Sequence, residues 1–106
     1  MMEGLELISF QIISAVGTAR SMYIEAIQLA KAGDFEGAEK LLEEGQQVFL
    51  EGHHAHAGLI QKEAAGEKCE FALLLMHAED QLMSAEAFSI LAQEFIDVYK
   101  KMKGNM

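Results

Sequence analysis

Apolar side chains return every three or four residues along three stretches of the chain, the spacing that gathers them on one face of a helix. Leu5, Ile8, Ile12, Val16, Ala19, Tyr23, Ala26 (with Ile27) and Ala30 predict a first helix from Leu5 to Lys31. Ala32-Gly33-Asp34 then ends that helix and begins another. Gly33 suits the left-handed position after a C-terminus, and Asp34 suits an N-cap. Phe35, Ala38, Leu41, Leu42, Gly45, Val48, Phe49, Leu59 and Ile60 predict a second helix. Its glycines Gly45, Gly52 and Gly58 weaken it but permit close backbone approach. Around Gly66-Glu67-Lys68-Cys69-Glu70 the periodicity lapses, which predicts a second short connection. A third helix is predicted from about Phe71 to Lys101, followed by a polar Lys-Gly-Asn tail.

Short connections between long helices imply an all-α, antiparallel three-helix bundle running up, down and up. The third helix differs from the others in carrying two apolar stripes. One passes through Phe71, Leu75, Ala78, Leu82, Ala85, Ala92, Ile96 and Tyr99; the other through Leu73, Met76, Met83, Ala87 and Ile90. A helix that is apolar on most sides is buried on most sides. Two neighbouring helices cannot cover both stripes, so helix three is expected at the centre of an oligomer.

Composition strengthens this expectation. The chain has 106 residues, is 51% hydrophobic and contains no proline. That length fits one domain, residues 1–106, with a modest core of its own. So much apolar surface in so small a domain points to self-association. No apolar run reaches the roughly 20 residues that span a bilayer. The N-terminus lacks the basic start and cleavage site of a secretory signal. The one cysteine, Cys69, cannot form an internal disulfide, which fits a reducing cytoplasm. Seventeen acidic residues against eight basic ones leave a formal charge of −9. Nucleic acid is a poor match, because its binding rests on Lys and Arg neutralising phosphates. A basic or neutral protein partner suits the charge better, and so does solubility alone.

The candidate chemistry lies at His77-Ala78-Glu79-Asp80-Gln81-Leu82-Met83. Positions three apart share a helix face, so His77 and Asp80 are neighbours. A packed, hydrogen-bonded histidine without chemistry is the simpler reading. The carboxylate one turn away favours a reactive one, since it can orient an imidazole and fix its proton. Neutral imidazole attacks phosphorus well and also leaves well, which suits reversible phosphoryl carriage. Asp80 falls on the second stripe, where an ionised carboxylate needs a partner, a metal or a shared proton. Identical copies converging on an axis would offer hard oxygen ligands to magnesium or a similar cation.

Other groups carry less. Glu51 and His54 make one Glu-x-x-His pair within the cluster His53, His54 and His56, whereas a di-iron bundle needs two such pairs and two further glutamates. His56 alone could line a cleft near His77. Cys69 lies beside Glu67 and Glu70, whose charges disfavour its thiolate. Met76 and Met83 serve equally as core filler or as an apolar docking rim.

Several segments together resemble the lactose/cellobiose-type enzyme IIA of the bacterial sugar phosphotransferase system. They are Gly17-Thr18-Ala19-Arg20-Ser21, Gly33-Asp34-Phe35, Leu59-Ile60-Gln61-Lys62-Glu63-Ala64, Gly66-Glu67 and the His77–Met83 motif, in that order along nearly the whole chain. The resemblance implies a homotrimer whose third helices pack about the threefold axis. It implies that His77 accepts a phosphoryl group from the histidine-phosphocarrier protein and passes it to a cysteine of the IIB component. It further implies that Asp80 binds a metal ion, usually Mg2+, one per trimer on the axis. The protein would be a cytoplasmic phosphotransferase component that meets the membrane only through the IIC permease. The commonest form of the motif reads His-Ala-Gln-Asp-His-Leu-Met, so Glu79 and Gln81 depart from it. His56-Ala57 likewise stands where Gln-Thr is usual. The rival reading is a non-catalytic helical adaptor or scaffold. A sensor-kinase dimerisation domain fits less well, since Ala78 follows the histidine and proline is absent.

Overall fold

The computed structural model describes residues 4–104 as three helices, α1 (Gly4–Lys31), α2 (Phe35–Ala64) and α3 (Leu73–Gly104). They form an antiparallel bundle running up, down and up, about 57 Å long. The two turns use the same device. After α1, Gly33 takes a positive φ of 95°, its N–H donates to Ala30 O at 3.0 Å, and Asp34 N donates to Leu29 O at 2.9 Å. After α2, Gly66 also has φ 95°, donating to Glu63 O at 3.1 Å while Glu67 N reaches Lys62 O at 3.0 Å. Each turn satisfies carbonyls that a helix C-terminus otherwise leaves bare. Asp34 caps α2 by accepting from Gly37 N at 2.9 Å.

The core has two lobes along the bundle. Ile12, Val16, Ala78, Leu82 and Ala85 make one. Ala19, Tyr23, Ala26, Ala30, Ala38, Leu42, Ala92 and Ile96 make the other. Small residues let α1 sit close to both neighbours. On α3 the inward positions Ala78, Ala85 and Ala92 recur every seventh residue and are wholly buried. On α2 the glycines expected to permit close approach do so at Gly45 and Gly52, which lie against Tyr23 and Val16 of α1. Most of the packing joins α1 to α2 and α1 to α3, with a smaller contact between α2 and α3.

That arrangement covers only one side of α3. Leu73, Met83 and Ile90 are 79%, 62% and 63% exposed, with Met76 also open beside them. Leu91, Phe95, Val98 and Met102 lengthen the apolar strip toward the C-terminus. The second stripe expected from the sequence is therefore present and uncovered within one chain.

Three details differ from expectation. Helix three starts at Leu73 rather than Phe71, which is 82% exposed in the connection. Phe71 is four residues before Leu75 and so mimics helical spacing, but the first helical hydrogen bond runs from Met76 N to the carbonyl of Ala72, the residue just before the helix. The helix also continues past Lys101 to Gly104, with Lys101 and Lys103 in a last turn where cations oppose the helix dipole favourably. Asn105 of the expected tail lies outside the described residues. Ile60 is half exposed, because Leu59 takes the inward place and adjacent residues on a helix point about 100° apart.

Candidate functional site

Helix α3 presents His77 to solvent from its second turn, directly above the core. Ala78 and Leu82 anchor this part of the helix inward, so the residues between them must face sideways or out. With about 100° between successive residues, Asp80 stands about 60° to one side of His77 and Gln81 about 40° to the other. The imidazole is thus flanked by a carboxylate and an amide. Leu73 and Leu74, one turn earlier, line a shallow apolar depression with it. His77 and Asp80 are both exposed in the single chain. The burial expected for Asp80 therefore arises only if other copies cover its stripe.

Two cross-helix contacts frame this turn. From α1, Arg20 Nη1 donates to Gln81 Oε1, and both residues are half-buried. From α2, His56 Nε2 meets Glu79 Oε1 at 2.9 Å. Glu79 lies about 160° around the helix from His77, so His56 approaches α3 on the side away from the imidazole. The cleft that His56 was expected to line with His77 is instead a His56–Glu79 contact between α2 and α3. Both contacts involve the positions that depart from the commonest family motif.

Sequence reasoning assigned no part to Arg20. The available signal was that it is the only arginine in the chain, within Gly17-Thr18-Ala19-Arg20-Ser21. Which α3 residue it would meet depends on the register between two helices. Glu51, His53 and His54 lie exposed along α2, with the His53 ring 6.2 Å from Phe49. Cys69 is half-buried in the connection before α3. Among the described residues of one chain, no three His, Cys, Asp or Glu groups gather closely enough to hold a metal ion. Asp80 therefore offers a single hard ligand per chain.

Comparison with known proteins gives the arrangement a context. Residues 7–100 match the family described as the lactose/cellobiose specific IIA subunit of the PTS system. The lichenan-specific phosphotransferase enzyme IIA component of Bacillus subtilis (strain 168) is 45% identical over 102 residues, spanning 96% of this chain and 93% of the relative. The crystal structure of the PTS cellobiose-specific enzyme IIA from Bacillus anthracis superposes with a TM-score of 0.96 at 44% identity, covering 100% of this chain and 97% of that one. The IIA(chitobiose)–HPr complex of the N,N'-diacetylchitobiose branch of the Escherichia coli phosphotransferase system gives a TM-score of 0.82 at 31% identity, covering 96% and 99%.

Proposed function

The chain belongs to the lactose/cellobiose-specific IIA family of the sugar phosphotransferase system, and from that premise we propose that His77 is its phosphoryl acceptor. As a phosphotransferase component it works within a relay that drives sugar uptake. The donor in this reading is the phosphohistidine of the histidine-phosphocarrier protein, and the acceptor downstream is a cysteine of the IIB component. One observation carries the assignment: His77 is an exposed imidazole, rimmed by Leu73 and Leu74, on a rigid helix that a flat partner surface can reach. A lone-pair nitrogen of His77 attacks phosphorus as the bond to the donor imidazole breaks. The donor nitrogen keeps the electron pair, so no proton need move at the reacting atoms. In such transfers the protein's task is mainly to position the partners and stabilise charge. The charge of −9 would favour encounter with a basic carrier. The cytoplasm is where this reading places the protein, with the membrane reached only through the IIC permease.

The same reading includes a homotrimer with α3 at its centre. Leu73, Met76, Met83, Ala87 and Ile90 would bury one another around the axis, and Asp80 would bring one carboxylate from each copy. Hard oxygen donors suit Mg2+. Asp80, exposed between the apolar residues Met76 and Met83, fits an ion shared between copies. The ion would neutralise the three carboxylates, while the chemistry at His77 stays with the imidazole.

The decisive experiment treats the full chain with phosphorylated histidine-phosphocarrier protein and measures acid-labile, base-stable phosphate. His77→Ala should abolish it while leaving helix content and assembly unchanged. Phosphate persisting in that variant would move the acceptor to His53, His54 or His56 and overturn the assignment.

A further inference from the structure

We propose that Arg20 binds the phosphoryl group carried by His77, reaching from α1 across to the reactive turn of α3. This rests on the reading of His77 as acceptor. Its support is the placement of the only guanidinium in the chain. Gln81 holds that guanidinium, and Gln81 lies one turn after His77 on the same side of the helix. A guanidinium in that position can offer a planar pair of N–H donors to phosphoryl oxygens.

The charge balance around Arg20 favours an incoming anion. Acidic residues outnumber basic ones seventeen to eight, yet no carboxylate among the described residues pairs with Arg20. Among the described residues, Glu79 on the same turn of α3 pairs with His56 of α2 instead, and Lys100 pairs with Glu39. A half-buried cation held only by a neutral amide keeps its full charge and most of its five N–H donors. A glutamate at position 81 would instead have cancelled that charge. Space is available as well. A Cβ built on Gly17, the residue one turn before Arg20 on α1, meets nothing within 4 Å. The α3 lysines Lys100, Lys101 and Lys103 begin about 35 Å from His77 along the helix at 1.5 Å per residue. Arg20 keeps its proton throughout and contributes by hydrogen bonding and charge to the equatorial oxygens of the transferring group. Gln81 acts through it as a positioning residue.

Having one arginine makes the test direct. In the uniformly 15N-labelled full chain, Arg20 gives the single arginine Nε–H resonance. We expect this signal to shift on phosphorylation with phosphoramidate, and the shift to vanish in His77→Ala. Arg20→Gln should slow phosphorylation by the phosphocarrier about 100-fold or more, the scale of losing a donor to developing charge. It should also move the 31P resonance of the phosphohistidine, with Arg20→Lys restoring part of both. Gln81→Leu should give a smaller loss of rate, because the guanidinium remains but is no longer held. If His77 is phosphorylated while the Nε–H signal stays fixed and Arg20→Gln reacts at the wild-type rate, this inference alone falls. If no phosphate reaches His77 in the wild type, the acceptor assignment falls instead.

Discussion

Gly45 of α2 lies so close to the ring of Tyr23 on α1 that a methyl group built on it would stand 2.7 Å from Cε1. The contact sits beside the alanine-rich lobe of the core, where Tyr23 is the largest fully buried side chain. Gly45→Ala must therefore push the ring or separate the helices, and overpacking of this kind costs about 1–3 kcal/mol. Gly58, on the same helix, faces open space. There alanine should stabilise by about 0.5–1 kcal/mol through better helix propensity. Thermal unfolding of the two variants should move in opposite directions from the wild type. A shared direction would contradict the close approach at Gly45.

Tyr23 itself predicts an alkaline effect. Burial pushes its phenol above the usual range, a shift that the neighbouring Ser89 hydroxyl partly offsets. The folded chain then holds this proton more tightly than the unfolded one. The resulting stability is complete below about pH 10 and is lost as pH rises from there toward the folded value. The hydroxyl is buried without a well-formed hydrogen bond. Tyr23→Phe should therefore stay within about 1 kcal/mol of wild type at neutral pH and lose less stability above pH 10. Urea midpoints from pH 7 to 10.5 would test this, and parallel slopes for the two proteins would refute it.

The uncovered face of α3 predicts assembly. Leu73, Asp80, Ala87 and Glu94 alternate with Met76, Met83 and Ile90 in a seven-residue pattern suited to helices packed about an axis. Light scattering at micromolar concentration should give about three times the 11.7 kDa chain mass. Met83→Lys should shift it toward monomer, since a charge at a covered position lacks a partner. A wild type that remains monomeric would remove the basis for the axis.

Asp80 then tests the shared ion. With three copies about 5 Å apart, each pair repels by roughly 3 kcal/mol at an effective dielectric of 20. Chelator should lower the thermal midpoint of the wild type. Asp80→Leu should remain trimeric and lose that sensitivity, because replacing charge with packed apolar surface is often neutral or stabilising. An unchanged wild-type midpoint together with a broken Asp80→Leu trimer would exclude the ion.

The inward face of α1 was legible from Ile12 to Ala30 because burial there follows helical periodicity. Nearer the N-terminus the buried place falls to Ser9, whose hydroxyl donates to Leu5 O, and Leu5 and Ile8 are half-buried. Gly33 and Asp34 marked the first turn because each is suited to one backbone state. The start of α3 was not legible, since Phe71 keeps the spacing of the helix it precedes and no capping side chain marks the boundary. His77 and Asp80 stood out through chemistry out of place on an apolar stripe. The contacts Arg20–Gln81 and His56–Glu79 did not, because they depend on how far one helix slides along another. That register is set by packing of the alanine and glycine faces and leaves no local pattern in the sequence.

The recurrence of Ala78, Ala85 and Ala92 against α1 has a consequence for the tempo of the relay. A methyl side chain has no rotamers to exchange, and helices seated on such residues have little room to roll or slide. The turn that carries His77 is thus already formed in the single chain, within the continuous helix α3. Turnover would then be governed by diffusion to this post and by departure from it, so solvent viscosity should slow the exchange more than lowering the flexibility of the bundle would.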